Sequence, residues 1–285
     1  MLLITGLWTM TVFSVMTASL GFGAFEEIAL IKRDLEDFRT RQDYAAVLSR
    51  VAAKIEEDPE PHEDSAEDEW IGNVELDASL AKTMNVTVED EESKLNLNTV
   101  PEALLAAFLK LFEDEIGPLK GSRKSYVREI SKRRSKKRIE SLEELFLLED
   151  FAAEDLEALR PYVSVYPESP SLNVNTAKLP VLRALMAYLS SDAWTRVIFL
   201  AHLEEARALP LRSDELRPGL MMARLKLPQT PAMLMLVQDF LTHVGTDSEM
   251  FHLTVTKKAG TGGASAIFRF REGQVRPYVL AWHEE

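Results

Sequence analysis

The sequence has no cysteine among its 285 residues. Disulfide bridges, thiolate catalysis and cysteine-ligated metal sites are therefore excluded. The five histidines do not show a metal-binding spacing such as HExxH, and no serine lies in a G-x-S-x-G turn. Because no pair of carboxylates is set apart for acid–base chemistry either, the sequence predicts a protein without enzymatic activity.

Charge is absent from the beginning of the chain, since residues 1–25 contain no Asp, Glu, Lys or Arg. A helix of that length reaches across a bilayer core of about 30 Å. The run is longer than the apolar part of a signal peptide, and no basic residue precedes Lys32, so the pattern favours a retained transmembrane segment. Because Lys32 and Arg33 follow it, the positive-inside rule alone places the remainder in the cytoplasm, whereas removal of a basic leader reverses that orientation.

Basic residues are the minority throughout the chain. There are 33 Lys and Arg against 46 Asp and Glu, and the net charge of −13 argues against a nucleic-acid partner. The hydrophobic content of 46% supports a folded core rather than a disordered chain. One basic cluster, RKSYVREISKRRSKKR at residues 123–138, is the exception in this acidic sequence.

The hydrophobic periodicity divides the chain into five segments. After residues 1–25, apolar positions spaced by three and four predict an amphipathic helix over residues 26–57. An acidic linker and the first strands follow over 58–99, helices over 100–244, and antiparallel strands over 245–285. The apolar stripe is defined as Phe25, which directly precedes the amphipathic helix, together with Ile28, Ile31, Leu35 and Phe38 on that helix.

A short motif occurs twice, each time ahead of a predicted helix. Residues 95–99 are Leu-Asn-Leu-Asn-Thr, and residues 172–176 are Leu-Asn-Val-Asn-Thr. In each copy an extended stretch leads into the helix, and Thr99 and Thr176 are the expected N-caps. Asparagine side chains bind nearby backbone groups in loops, so we expect a structural role for the paired asparagines.

A nucleic-acid hypothesis rests on the basic cluster and on the helix–turn–helix pattern at residues 142–159. That pattern resembles the helix–hairpin–helix of competence-type DNA receptors, in which a glycine-containing hairpin binds phosphate. Here the hairpin at residues 148–152 has two acids and no glycine, and carboxylates repel phosphate. The alternative function, a membrane-tethered pilus or DNA-uptake component, has these candidate phosphate contacts: Arg123, Lys124, Arg128, Lys132, Arg133, Arg134, Lys136, Lys137 and Arg138.

Several motifs follow one another in a fixed order along the chain. D-E-x-S-K-L-N-L-N-T covers Asp90 to Thr99, and S-L-E-E-L with L-R-P-Y-V-S-V-Y-P-E lies between Ser141 and Glu168. L-N-V-N-T-A follows at Leu172 to Ala177, and the C-terminus contains F-H-L-T-V and V-L-A-W. Together with the long N-terminal helix, this order resembles the minor pseudopilin K family of type II secretion systems.

The resemblance implies an α+β fold. A pilin-like long N-terminal helix packs on a small antiparallel sheet, and a large all-helical domain of the helix-hairpin-helix or SAM-like type is inserted between strands. The implied function is that of a minor pseudopilin at the tip of the pseudopilus, which initiates or caps the filament that drives protein export. Most pilin-like subunits carry a glutamate at the fifth mature position, which the K subunit typically lacks, and residues 1–25 contain no acid.

The resemblance also implies partners and a location. The partners are the minor pseudopilins I and J and other pseudopilus subunits, and we expect the apolar stripe to contact them, with no nucleic acid involved. The chain is expected to be a single-pass inner-membrane protein with its soluble domain in the periplasm. Family members are cleaved by a prepilin peptidase after a short basic leader and are N-methylated, and because residues 1–25 show no such leader we expect a truncated start or a processed chain.

Calcium is a further implication of the resemblance, because such pseudopilins often hold it in sheet loops through oxygen ligands. The candidate ligands lie before the first asparagine motif and before the C-terminal strands, and solvated acids that bind no metal are the alternative. The candidates are Glu89, Asp90, Glu91, Glu92, Asp247 and Glu249.

Overall fold

The fold is described by a computed structural model of the chain. It describes residues 2–57, 64–65, 68, 70–75, 80–148, 151–166, 171–258, 263–269 and 278–284. Parts of the predicted acidic linker, of the 148–152 hairpin and of the C-terminal turns lie outside these residues. The chain forms two compact units, Met1–Arg50 and Val51–Glu285.

Helix α1 spans Leu2–Glu56. In the first unit its side chains from residue 4 to residue 19 are exposed, and none of them is charged. Within the described residues, no helix is both long enough and apolar enough to cross a membrane.

The second unit contains an antiparallel sheet. Its strand order is β1-β2-β7-β8-β9, so β2 and β7 are neighbours although the whole helical region separates them in the chain. On β2 the side chains alternate between buried Val86 and Val88 and exposed Asn85, as expected for a sheet with one face in the core. The strands are β1 (Gly72–Asn73), β2 (Met84–Asp90), β7 (Met250–Lys257), β8 (Gly263–Arg269) and β9 (Tyr278–Glu284).

The helical region between β2 and β7 is a structural repeat. Each copy starts with a short strand that carries the asparagine motif, continues through helices and ends in a second short strand that pairs with the first in parallel. The first copy contains β3 (Leu95–Asn96), α2 (Glu102–Glu115), α3 (Arg123–Lys136), a 3-10 helix (Leu142–Leu147), α4 (Ala153–Leu159) and β4 (Val163–Ser164). The second contains β5 (Leu172–Asn173), α5 (Leu179–Leu189), α6 (Ala193–Ala206), a 3-10 helix (Ser213–Glu215), α7 (Pro218–Arg224), α8 (Pro231–Leu241) and β6 (Val244–Gly245).

The two copies share one hydrophobic core. Helix α2 packs against α5, which are the helices that directly follow the two asparagine motifs. Phe108 of the first copy and Phe199 and Phe240 of the second are fully buried within it. The helices within residues 100–244 therefore share a continuous interior. Each asparagine motif also forms a short strand that pairs in parallel with the strand at the end of its copy.

The predicted helix caps differ from the observed ones. Helix α2 has Pro101 at its N-cap position, and α5 has Lys178 there, so neither Thr99 nor Thr176 caps a helix. The Thr176 hydroxyl instead donates a hydrogen bond to Asp90. The sequence pattern could not distinguish these outcomes, because the acceptor lies 86 residues away in the chain.

Candidate functional sites

The apolar stripe of α1 is exposed in the first unit. Its five side chains, from Phe25 to Phe38, have between 47% and 73% of their surface accessible. Exposed apolar side chains that recur along one helix face mark a surface available to a partner. Leu30 is exposed to the same degree as Ile31 but lies about 100° around the helix from it.

The end of β2 and the short 3-10 helix Glu91–Ser93 place consecutive acids on opposite sides of the chain. On one side, the Lys94 ammonium donates to Glu89 at 2.9 Å and to Glu91 at 2.7 Å. The second Glu91 oxygen accepts a hydrogen bond from Ser164, and Nδ1 of His252 lies 3.6 Å from the first. Of the predicted calcium ligands, Glu89 and Glu91 therefore belong to a centre that already contains the Lys94 ammonium.

Asp90 lies on the other side and is fully engaged by hydrogen bonds. Its Oδ1 accepts from the Glu92 N–H at 2.7 Å, and its Oδ2 accepts from Thr176, from Ser248 at 2.7 Å and from Asn173 at 3.1 Å. Burial raises the pKa of this carboxyl despite these donors. Asp90 therefore connects the sheet to the second asparagine motif.

Glu92 is buried near the remaining predicted ligands. Its carboxylate accepts the Glu249 N–H at 3.1 Å. Burial, together with the charges of Asp90, Glu249 and Asp247, raises its pKa to about 8. Glu249 itself pairs with Arg269 at 2.7 Å. Glu92, Asp247 and Glu249 offer oxygen donors, the ligand type that Ca²⁺ prefers, whereas Glu89 and Glu91 face Lys94.

The paired asparagines have a common geometry. In each motif the first asparagine turns the chain, because Oδ1 of Asn96 accepts the Asn98 N–H at 2.8 Å and Oδ1 of Asn173 accepts the Asn175 N–H at 2.9 Å. The expected structural role is confirmed by these contacts. Nδ2 of Asn173 also donates to the carbonyl of Asp64 at 3.2 Å, so this motif holds part of the acidic linker as well.

Three of the predicted phosphate contacts on α3 bind other parts of the insert. Arg123 pairs with Glu113 at 2.7 Å, and Arg133 pairs with Glu144. Arg134 donates to two backbone carbonyls of the first asparagine turn. These contacts hold α3 against its neighbours and leave fewer cations for an external anion.

The other candidate cations of this region are on the exposed side. Arg128 and Lys132 pair with Glu129 at 3.1 and 3.3 Å, and Lys124 is exposed. Lys137 pairs with Glu140 at 3.0 Å, and Arg138 donates to a backbone carbonyl at 3.3 Å. Lys136 is exposed at the end of α3.

Sequence reasoning missed the role of Lys94. Lys94 lies directly before the first asparagine motif. Glu89 and Glu91 precede it with the two-residue spacing of one strand face, and this spacing was the available signal. His252 and Ser164 come from distant parts of the chain, so no local pattern indicates that they meet Glu91.

No protein-family model matches the chain, and no curated protein matches it in sequence. Its structure is similar to a chain in the crystal structure of the GspK-GspI-GspJ complex from the enterotoxigenic Escherichia coli type 2 secretion system. The match covers 87% of this chain and 95% of that chain, with a TM-score of 0.58 and 14% sequence identity. At this identity the likeness establishes the fold, which is the α+β arrangement predicted from the sequence.

Proposed function

We propose that this chain is a minor pseudopilin of the K type in a type II secretion system and acts as a structural subunit rather than as an enzyme. The observation that carries the proposal is the position of the helical repeat, between neighbouring strands β2 and β7 of an antiparallel sheet that follows a long N-terminal helix. The structural likeness supports the proposal, because it covers 87% of this chain and 95% of the matched chain.

The proposed partners are the minor pseudopilins I and J. The exposed stripe on α1 supports this assignment, because apolar side chains with about half or more of their surface accessible gain most from burial against another helix. The subunit is proposed to lie at the pseudopilus tip, where it initiates or caps the filament. The absence of any acid in residues 1–25 supports a capping position, since pilin-like subunits extend a filament through an N-terminal glutamate.

The proposed location has the second unit in the periplasm and the first half of α1 associated with the inner membrane. The lack of charge over residues 1–25 supports this association. Extraction of cell membranes with sodium carbonate tests it: the full chain is expected in the pellet, and recovery in the supernatant would contradict the proposal.

Co-purification of the full chain with the I and J subunits in detergent tests the assembly. We expect a stable complex with one copy of each subunit, measured by light scattering after size exclusion. Ile31→Asp is expected to weaken the complex, because it places a charge in the apolar stripe. Leu30→Asp is the matched control, since Leu30 is equally exposed but lies off the stripe.

The outcomes separate the proposal from its alternatives. Equal loss of the complex in both variants would mean that charge anywhere on α1 disrupts assembly, which would remove the stripe as the contact surface. A monomer in every combination would contradict the K-type assignment itself.

We also propose that calcium binds beside Glu92, with Asp247 and Glu249 as the further oxygen ligands, whereas both Asp90 oxygens already accept hydrogen bonds from the protein. The raised pKa of Glu92 supports this, because burial disfavours its charged form and a nearby cation offsets that cost. Calorimetric titration of the full chain with Ca²⁺ tests the site. Glu92→Gln is expected to weaken binding, whereas Glu89→Gln, on the opposite side of the chain, is expected to leave it unchanged.

A further inference from the structure

A set of donors suited to a transition metal lies at the end of β2. Glu89, Glu91 and His252 each offer one ligand atom, and these atoms lie within 4.8 Å of one another. Glu89 on β2 pairs directly with His252 on β7, so the sheet fixes their separation, and Glu91 lies in the 3-10 helix that directly follows β2. One imidazole nitrogen and two carboxylate oxygens form a donor set that Zn²⁺ accepts, with a solvent molecule as the fourth ligand.

The Lys94 ammonium binds two of these three residues, Glu89 and Glu91. Nζ is 2.9 Å from Glu89 Oε2 and 2.7 Å from Glu91 Oε1, which are distances of charge-assisted hydrogen bonds. The Lys94 side chain has only 3% of its surface exposed, so the charge is held inside the protein. An ammonium group has three donors and no acceptor, and it therefore satisfies carboxylates in the way a bound cation does.

We propose that the Lys94 ammonium is the resident cation of this centre and closes a latent divalent-metal site formed by Glu89, Glu91 and His252. This inference concerns the sheet and its junction with the insert, and it does not depend on the proposed function.

The charges of the surrounding groups agree with this assignment. Burial lowers the pKa of Lys94, but the Glu91 and Glu89 carboxylates more than offset burial and leave it above its ordinary value. Nδ1 of His252 lies 3.6 Å from Glu91 Oε1, the oxygen that also binds the ammonium. The protonated lysine thus supplies the positive charge of the centre.

The centre also connects several elements. Glu91 accepts a hydrogen bond from Ser164 on β4, and His252 lies on β7. Whichever cation occupies the centre therefore joins the sheet to the first copy of the helical repeat. Removal of the ammonium leaves two carboxylates uncompensated, one of them buried, and this destabilises the junction unless another cation takes its place.

Lys94→Met tests the proposal, because methionine keeps an unbranched chain of similar length without the charge. The full chain in detergent is mixed with Zn²⁺ alone, and melting temperature and zinc content are measured after desalting. We expect Lys94→Met to have a lower melting temperature than the native protein, to gain one zinc per chain and to recover stability when zinc is added. Co²⁺ in place of Zn²⁺ is expected to give the visible absorption bands of a four-coordinate site in this variant.

Two controls define the site. Lys178→Met removes another lysine whose charge acts on Glu89 but leaves Lys94 in place, and it is expected to bind no more zinc than the native protein. Adding His252→Gln to Lys94→Met is expected to abolish the zinc-dependent recovery. Ca²⁺, which prefers oxygen ligands, is expected not to replace Zn²⁺ here, and this separates the latent site from the proposed calcium site.

Three results would overturn the proposal. The first is zinc binding by the native protein that is lost on His252→Gln, because the ammonium would then not close the site. The second is a folded Lys94→Met protein that binds no additional zinc. The third is a Lys94→Met protein that folds neither with nor without zinc while Lys94→Arg folds, because a divalent metal then cannot replace the ammonium. Folding of Lys94→Met only in the presence of zinc would support the proposal.

Discussion

The side chain of Asn98 binds both backbone groups of Ile139. Oδ1 accepts the Ile139 N–H at 2.9 Å, and Nδ2 donates to the Ile139 carbonyl at 2.9 Å. Asn175 binds Leu211 in the same way, at 2.9 and 3.0 Å. The second asparagine of each motif thus acts as a strand neighbour for one residue of a distant segment, and the sequence repeat corresponds to a repeated structural clamp.

Asn175→Ala is expected to lower the free energy of unfolding by roughly 2–4 kcal/mol, because it leaves the buried N–H and carbonyl of Leu211 without partners. Urea denaturation followed by circular dichroism measures the change. Asn85→Ala, at an exposed position of β2, is the control and is expected to change stability by less than about 0.5 kcal/mol. Equal effects of the two substitutions would contradict the clamp.

Arg134→Met distinguishes a structural role of α3 from a phosphate-binding role. The guanidinium donates to the carbonyls of Leu97 at 3.2 Å and Val100 at 2.5 Å, so its loss is expected to cost roughly 1.5–3 kcal/mol of stability. Lys124→Met, at an exposed position of the same helix, is expected to be neutral. Thermal denaturation of both variants measures this. If Arg134→Met leaves the stability unchanged, the structural role of Arg134 is wrong and the residue is again a candidate phosphate contact.

Tyr126→Phe is expected to destabilise the first copy of the repeat by roughly 1–2 kcal/mol. The hydroxyl donates to Asp155 at 2.6 Å, and Asp155 also accepts the N–H groups of Lys120 and Gly121. Burial and the Asp155 carboxylate raise the pKa of Tyr126 to about 12. Ultraviolet titration is therefore expected to show one fewer late-ionising tyrosine in the variant, whereas loss of a tyrosine that ionises in the ordinary range would contradict this contact.

The pH dependence of stability is expected to change in Glu92→Gln. The pKa of Glu92 is about 8 in the folded protein, against an ordinary value of 4.5. Between these values the folded protein holds a proton that the unfolded chain has lost, so the free energy of unfolding falls as pH rises, by at most about 1.4 kcal/mol per pH unit. The contribution is complete below about pH 4.5 and lost above about pH 8.

Urea denaturation between pH 5 and pH 8 in the presence of a chelator measures this slope. Glu92→Gln is expected to flatten it, whereas Glu75→Gln, at an exposed position before β2, is expected to leave it unchanged. A slope that is the same in both variants would show that Glu92 ionises at its ordinary pH.

The sequence predicted those parts of the fold that depend on neighbours in the chain. The alternation of Val86 and Val88 with Asn85 identified a strand, and the two asparagine motifs were correctly placed ahead of helices. The clamps themselves were not predicted, because Asn98 binds a residue 41 positions away. Which polar groups an asparagine reaches in the folded protein depends on tertiary packing, and a single sequence does not contain that information locally.

The candidate sites show the same division. Helical spacing predicts that Ile31 and the rest of the stripe share one helix face, and their side chains are exposed, while contact with a partner stays a prediction. The separation of Glu89 from Glu92 does not follow from proximity in the chain, because it depends on the end of β2 and on the 3-10 helix that follows it. The order in which β2 and β7 meet brings Glu92 and Glu249 together, and that is a property of the sheet.

The insertion of the helical repeat between β2 and β7 has a consequence for the order of folding during synthesis. Asp90 pairs with Phe251, so the central pairing of the sheet closes a loop of about 160 residues. For an unfolded loop of that length, closure costs about 4.5 kcal/mol beyond a constant. A repeat that folds first brings its two ends together and removes most of this cost. The ribosome releases the repeat before β7, and the sheet is therefore the last part of the second unit to form.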